Sequence, residues 1–416
     1  MITLINQRSN AKDNTKIIIW FLCLITCLAS PLLAFSVLTL TIFFTRPFDA
    51  KILTPPLIVI LSVWLSLINT TKLPESDLLV YLDQYHDLRG LRLTDLIEAQ
   101  QYELLFQLLS WISINYLSLN DSGYIFLCSN LFYLTLFFSL YRYGNQRKEN
   151  IFKIIWVLFF VAFFPPLFSI SAHIIRQVIA GAIATFALVN ITKTARSNFL
   201  LLLVATLFHT SAAVFFLVPL SLAASKRMGR SPTFSTLTII PAFILIVIIS
   251  SEFLINFPIL SNLIILQYGL QRISQNTFFE LNSLSTSGLF FIGTTAILAA
   301  WIMLKNDDAN NSAKNSRQLL SSFAFILCIF VLLFQYLNIN ELAIRFIYYA
   351  YMLMGLLLLD TPIAKVLSHK VVSFFLSTTF LIIFLATINL NGWSYVNTIE
   401  TTVKPLLIQN FFQYTS

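Results

Sequence analysis

Residues Ser171–Val189, which read SAHIIRQVIAGAIATFALV, combine a polar beginning with a long apolar remainder. A run of about 20 apolar residues is long enough to span a bilayer as an α-helix. Arg176 and Gln177 lie in its first turns, and an arginine at membrane depth costs about 2.5–3.5 kcal/mol on insertion scales. Such an arginine usually faces a polar cavity and has a partner. The stretch therefore predicts a transmembrane helix whose polar end borders a polar site.

The composition agrees with a chain that crosses a membrane many times. Of the 416 residues, 57% are hydrophobic and 11% are charged, whereas a soluble globular protein carries roughly a quarter charged residues. The apolar runs that are candidate spans are 17–44, 52–69, 122–141, 153–170, 173–192, 236–252, 287–304, 319–337, 342–360 and 371–389. Together with one further run, they predict an all-α polytopic membrane protein with about 11–13 transmembrane helices. We expect a single integral membrane domain over residues 1–416.

The further run, 198–223, has basic residues on both sides. Lys193 and Arg196 precede it, and a second basic cluster at 226–230 follows it. Because cytoplasmic connections carry an excess of Lys and Arg, both ends are expected inside. We therefore predict a short or re-entrant hairpin, with two arms too short for a full crossing, that turns near His209.

Lysines and arginines sort the connections between the two faces of the membrane. The connections that this rule places inside carry most of them: Arg46, Lys51, Arg142, Arg147, Lys148, Lys153, Lys193, Arg196, Lys226, Arg227, Arg230, Lys305, Lys314, Arg317, Lys365 and Lys370. The opposite face keeps Lys72, Arg89, Arg92, Arg176, Arg272, Arg345 and Lys404. Because the basic residues are scattered over short connections, the net charge of +8 indicates topology and not nucleic-acid binding.

Two outward-facing segments are long enough to carry function, residues 70–121 and 256–286. The first is rich in acidic residues, among them Asp77 and Glu103. Within it, Tyr102–Leu117 reads YELLFQLLSWISINYL, which is apolar but short for a span and interrupted by polar residues. We predict an amphipathic helix that lies on the outer leaflet.

With this topology, Arg176, His209 and Arg345 come from distant parts of the chain to one level of the membrane. A planar guanidinium can bind a phosphate or pyrophosphate at two points. For each residue a structural role is the alternative. An arginine near a helix end can extend to lipid headgroups, Arg345 can pair with Glu341 four residues earlier, and His209 can be a hydrogen-bonded turn residue.

Short motifs follow one another in a recognisable order: SDLLVYLDQY, YELLF, IRQVIAGAI, FHTSAAVFFLVPL and IRFIYYAY. This order resembles the EpsG-type family of polysaccharide polymerases, relatives of the Wzy O-antigen polymerases, from about residue 50 to residue 360. The clearest matching pieces are Arg176-Gln177 at the start of a helix, His209 followed by Ser211, and Asp77 with Tyr81.

The resemblance implies glycosyl transfer at the outer face of a bacterial inner membrane. The expected donor is a growing glycan on undecaprenyl pyrophosphate, and the expected acceptor is a single lipid-linked repeat unit. The product would be an O-antigen (part of lipopolysaccharide), a capsule or an exopolysaccharide. No cofactor, nucleotide sugar or obligatory metal is implied. Expected partners are the lipid-linked glycans and membrane lipid, and a chain-length regulator protein is a further candidate partner.

The chemistry of this reaction assigns roles to the candidate residues. Departure of a pyrophosphate without a metal needs positive charge from the protein, and the candidates are Arg176 first, then Arg345 and Arg272. Deprotonation of the acceptor hydroxyl needs a general base, and the candidates are His209, Asp77 and Glu103. The remaining substrate-binding candidates are Gln177, Ser211, Tyr81 and Tyr268, of which the two tyrosines are candidates for stacking on sugar rings.

Two other functions also fit the sequence. A membrane O-acyltransferase that decorates the same polysaccharides also needs outward-facing histidine and arginine. A lipid-linked oligosaccharide flippase is the second alternative, although a flippase would be expected to line a central cavity with charges at mid-membrane depth, where this sequence has few.

Overall fold

The protein is helical throughout the part of the chain that can be described. The computed structural model describes residues 18, 20–74, 77–98, 103–190, 195–229, 231–242, 286–304, 311–337, 340–361 and 369–390. Within these ranges every regular element is a helix, and seven helices are long and apolar enough to cross a membrane. The predicted all-α polytopic membrane class is therefore confirmed.

The described helices include both long spans and shorter segments. In chain order they are α1 (Trp20–Ala29), α2 (Pro31–Phe44), α3 (Pro47–Asn69), α4 (Asp77–Asp87), α5 (Leu93–Glu98), α6 (Leu104–Asn115), α7 (Asp121–Gln146), α8 (Ile151–Ala162), α9 (Pro165–Ile170), α10 (Ile175–Val189), α11 (Ala195–Phe208), a 3-10 helix (Thr210–Phe216), α12 (Leu217–Met228), α13 (232–242), α14 (Thr286–Leu304), α15 (Asn311–Tyr336), α16 (Asn340–Asp360) and α17 (Lys370–Leu390). The predicted span at 236–252 is described only up to residue 242, and the predicted outward segment at 256–286 lies outside the described residues except for its last residue.

The chain divides into two compact units. Unit 1 consists of Met1–Arg89, Ile112–Ile175 and Ile363–Ser416, and unit 2 consists of Gly90–Trp111 and Arg176–Pro362.

The core of unit 1 is aromatic and tightly packed. The ring of Phe35 stacks on Trp64 at 4.9 Å and meets Phe163 edge-on at 6.1 Å, joining α2, α3 and the end of α8. Gly144 allows α7 and α8 to approach closely, because a Cβ there would lie 2.6 Å from Ile154 Cγ1. Edge-on and offset aromatic pairs of this kind stabilise a core beyond their buried area.

A buried lysine in unit 1 binds the carboxyl end of α9. Lys72 is 3% exposed, and its Nζ donates to the backbone carbonyls of Phe168 and Ser169 at the carboxyl end of α9. Burial lowers the pKa of Lys72 well below its ordinary value. Nearby, Asn69 Nδ2 donates to Ser171 Oγ at 2.9 Å. The two contacts of Lys72 satisfy carbonyls of the kind that a helix end leaves without intrahelical partners.

Unit 2 is built around α14, α15 and α16, which pack against one another. Helix α10 joins them through Gly181, where a Cβ would lie 2.5 Å from Met352 Sδ and 3.0 Å from the ring of Tyr349 on α16. A small residue is therefore needed at this crossing, as is usual where transmembrane helices approach closely. The close approach holds the amino-terminal half of α10 against the middle of α16.

The predicted turn near His209 is present. Helix α11 ends at Phe208, His209 has extended backbone angles (φ −158°, ψ 124°), and the 3-10 helix begins at Thr210. The ring of Phe216 lies 4.8 Å from that of Phe199, so the chain returns along α11. The predicted shortness of both arms is wrong for the second one, because Thr210–Met228 forms 19 residues of continuous helix long enough to span.

The described residues of the predicted outward segment 70–121 include three short helices, α4, α5 and α6. Helix α6 has 12 residues, too few to cross a bilayer at 1.5 Å per residue, since about 20 are needed. Phe106 and Trp111 are buried, whereas Leu104 and Ile112 are exposed. One face of α6 is therefore buried, and its position on the outer leaflet stays a prediction.

Candidate functional site

Four charged or titratable side chains from distant parts of the sequence meet in unit 2. They are Glu103, Arg176, His209 and Arg345, which we call the tetrad. Glu103 immediately precedes α6, Arg176 is the second residue of α10, His209 links α11 to the 3-10 helix, and Arg345 lies in the second turn of α16. The predicted convergence of Arg176, His209 and Arg345 is therefore present, and Glu103 lies between them.

Glu103 joins Arg176 and His209 through its two carboxylate oxygens. Oε2 lies 2.6 Å from Nη1 of Arg176, and Oε1 contacts Nδ1 of His209. On the other side of the imidazole, Nη1 of Arg345 lies 2.6 Å from Nε2 of His209. A guanidinium has donors only, so Nε2 accepts from Arg345 and the proton of a neutral imidazole resides on Nδ1, which donates to Glu103.

The tetrad is largely withdrawn from water. The side chains of Glu103 and His209 are 6% and 7% exposed, whereas that of Arg176 is 25% exposed. Burial by itself would raise the pKa of Glu103, but His209, Arg176 and Arg345 outweigh it and lower this pKa to about 2. Glu103 is therefore a carboxylate at neutral pH, and the tetrad contains two guanidinium charges against one carboxylate charge.

The backbone at Glu103 is adapted to this contact. Its φ is 70°, in the left-handed region that non-glycine residues rarely occupy. Such a conformation costs on the order of 1–3 kcal/mol and persists where the surroundings enforce it. The ion pair with Arg176 and the hydrogen bond from His209 are the compensating interactions at this position.

Neighbouring side chains hold the two arginines in place. Gln177 is 3% exposed, and its Nε2 donates to the backbone carbonyl of Arg345 at 2.6 Å, tying α10 to α16. The Cζ of Arg176 lies 5.9 Å from the centre of the Phe106 ring, within the range of a cation–π contact. Arg176 is therefore positioned by both its carboxylate partner and an aromatic face.

Helix α16 holds the segment around His209 at two points. Arg345 contacts His209, and one turn later the hydroxyl of Tyr349 lies 2.6 Å from Oγ of Ser211. The Tyr349 ring also packs edge-on against Phe215 at 5.0 Å. These paired contacts fix the imidazole relative to α16.

The other predicted site residues have different surroundings. Asp77 is the exposed first residue of α4 in unit 1, and Tyr81, 4% exposed, donates to its carboxylate at 3.5 Å. Little of the Tyr81 ring is thus open for stacking on a sugar. Gln177 and Ser211 support the tetrad through the contacts above. Arg272 and Tyr268 lie outside the described residues.

Reasoning from sequence missed the contribution of Tyr349 and Phe106. Tyr349 follows Arg345 by four residues in IRFIYYAY, a spacing that puts both on one helix face. That spacing was the available signal. Phe106 lies three residues after Glu103 and gave no comparable signal. Across the part of the chain that the structure describes, no group of three or more His, Cys, Asp or Glu side chains is arranged to hold a metal ion.

Comparison with known proteins places these observations in a family. The family model described as the EpsG family matches residues 54–401. No curated protein and no solved structure matches the chain. The match supports, in general terms, a multi-pass membrane protein with a polysaccharide-polymerase function. Because the matched residues make up most of the chain and include the whole tetrad, the protein belongs to the EpsG family.

Proposed function

We propose that the protein joins undecaprenyl-pyrophosphate-linked oligosaccharide repeat units into a surface polysaccharide at the outer face of the bacterial inner membrane. The observation that carries this proposal is the meeting of Arg176 and Arg345 at the Glu103–His209 pair. Membership of the EpsG family supports polymerisation in general, and the tetrad contains the groups that a diphosphate leaving group and a hydroxyl nucleophile require.

The arginines would bind the diphosphate of the donor. When the bond between the glycan and the diphosphate breaks, negative charge accumulates on the departing oxygen. Fixed guanidinium groups in a site of low water content stabilise such charge strongly. Arg176, the more exposed partner of Glu103, and Arg345 therefore receive this role, and no metal is needed for it.

The imidazole would act as the base. A hydroxyl oxygen of the acceptor attacks the anomeric carbon of the donor, and its proton moves to Nε2 of His209. The bond between that carbon and the diphosphate oxygen breaks, and undecaprenyl pyrophosphate leaves with the electron pair. Glu103 accepts the hydrogen bond from Nδ1 and stabilises the imidazolium, as a carboxylate does for histidine bases generally.

The location and partners follow from the same proposal. The positive-inside rule assigns the tetrad to the outer face, where assembled repeat units are joined. The lipid tails would lie between helices, and a chain-length regulator protein is a further proposed partner. Asp77 stays an alternative candidate for the general base.

Purified protein incubated with lipid-linked repeat units tests the proposal. Longer glycans on the lipid support a polymerase, whereas acylated but unextended units support an O-acyltransferase. Arg176→Ala and Arg345→Ala should abolish extension. Arg317→Ala is the matched control, because Arg317 lies in the same unit and pairs with Asp360 at 3.3 Å outside the tetrad. It should retain extension.

A deletion strain separates the polymerase from a flippase. Loss of a polymerase leaves single repeat units on the cell surface, whereas loss of a flippase leaves none outside. Surface glycan consisting of single units in the deletion strain, with chains restored by the wild-type gene, is the expected result.

A further inference from the structure

The arrangement of the tetrad conflicts with the proposed reaction unless one set of contacts is exchanged for another. Nε2 is the basic nitrogen of the neutral imidazole, and Arg345 donates to it at 2.6 Å. While that contact persists, Nε2 has no lone pair available for the proton of an acceptor hydroxyl. Arg176 is likewise engaged by Oε2 of Glu103.

The charges indicate what would exchange these contacts. Arg176 and Arg345 carry two positive charges, and Glu103 carries one negative charge. A diphosphate that links a sugar to a lipid is a diester with two ionised phosphoryl groups. It therefore matches the two guanidinium groups better than Glu103 does, and its oxygens accept paired hydrogen bonds from arginine.

We infer that Glu103 is an internal anion that competes with the donor diphosphate for Arg176, and that donor binding also draws Arg345 away from His209 and so frees Nε2. The inference rests on the proposed function and adds its regulation. When Arg345 turns to the diphosphate, Glu103 keeps its contact with Nδ1, and the Glu103–His209 pair becomes a base with an open nitrogen. The acceptor can then be deprotonated only after the donor is bound.

Burial supports this order of events. Glu103 and His209 are almost fully buried, whereas a quarter of the Arg176 side chain is exposed. An incoming anion therefore meets Arg176 before the groups behind it. The hydrogen bond of Gln177 to the Arg345 carbonyl holds the backbone while the guanidinium changes partner.

Binding of inorganic pyrophosphate to the detergent-solubilised full-length protein, measured by calorimetry, tests the inference. Glu103→Gln removes the competing charge while keeping an acceptor for His209. It should bind pyrophosphate roughly tenfold to a hundredfold more tightly than the wild type, given the usual strength of charged hydrogen bonds. The matched control, Asp360→Asn, removes the buried partner of Arg317 in the same unit and should leave the affinity unchanged. Equal or weaker binding by folded Glu103→Gln would overturn the inference.

Two arginine variants separate this failure from failure of the proposed function. If Arg176→Ala and Arg345→Ala bind pyrophosphate as well as the wild type, the diphosphate site itself is wrong. If both lose binding but Glu103→Gln gains none, only the competition is wrong.

Histidine labelling on the wild-type protein tests the inference without a variant. Diethyl pyrocarbonate acylates an imidazole nitrogen with a free lone pair, and peptide mass spectrometry reports each site. Added pyrophosphate should speed labelling of His209 severalfold. His86, whose side chain is 46% exposed, should react at the same rate with and without pyrophosphate. An unchanged or slower rate at His209 would contradict the exchange.

Discussion

The depressed pKa of Glu103 predicts how the stability of the protein depends on pH. In the folded protein this pKa is about 2, against an ordinary value of 4.5. The difference of about 2.5 units corresponds to about 3 kcal/mol, at 1.36 kcal/mol per unit. The side chain is 6% exposed, so solvent screening reduces this value little. Because the folded-state pKa is lowered, the contribution is complete above pH 4.5 and is lost as the pH falls towards 2.

Thermal unfolding in detergent between pH 7 and pH 2.5 measures this contribution. Glu103→Gln should unfold at a lower temperature than the wild type at neutral pH, because Arg176 and His209 lose their carboxylate partner and the charge of nearby Arg345 is no longer balanced. The gap should narrow as the pH falls below 4.5. Pyrophosphate should raise the midpoint of the variant more than that of the wild type. A gap that stays constant from pH 6 to pH 2.5, or a variant that is more stable at neutral pH, would refute the reasoning.

Four further outcomes follow from the contacts. Arg176→Lys should lose chain extension, measured on a glycan gel. The lysine ammonium lacks the planar pair of donors with which a guanidinium binds two oxygens side by side. Full-length glycan made by this variant would contradict the role of Arg176. Gln177→Ala should slow extension roughly fivefold to tenfold by releasing the Arg345 backbone, as loss of about 1 kcal/mol implies. Gly181→Ala should destabilise the protein by about 1–3 kcal/mol through overpacking, whereas Gly293→Ala, with open space around it, should be neutral or stabilising in the same thermal assay. A chelator should leave extension unchanged, and loss restored by magnesium would count against the arginine roles.

The helical class and the break at His209 were predictable because their signals are local. Hydrophobic length determines which segments can span a bilayer, and the basic residues on both sides of 198–223 require the chain to return. The length of the second arm was not predictable from the apolar run alone, because its helix continues to Met228 through Lys226 and Arg227. A 3-10 beginning also rises more per residue than an α-helix.

The pairing within the tetrad was only partly predictable. The positive-inside rule brings Arg176, His209 and Arg345 to one level, but it does not say which acidic residue of the outward segment meets them. Glu103 contacts Arg176 and His209 from a left-handed backbone conformation. The sequence does not indicate this conformation, because glycine is the residue usually found in it. Its distance of 106 positions from His209 puts the contact beyond any local pattern.

The partners of the arginines explain how one site can be both stable in a membrane protein and selective for its substrate. A guanidinium at membrane depth without a partner costs several kcal/mol, and Glu103 and His209 provide such partners before any substrate arrives. The same contacts mean that a ligand must offer the arginines more negative charge than Glu103 does before it gains by replacing it. Common phospholipids carry one negative charge on a phosphodiester, so replacing Glu103 by such a headgroup exchanges one charge for one and gains little. A diphosphate brings two negative charges to the two arginines, one more than Glu103 provides, and therefore binds more favourably. An internal carboxylate therefore favours a lipid-linked diphosphate over the far more abundant phospholipids around it.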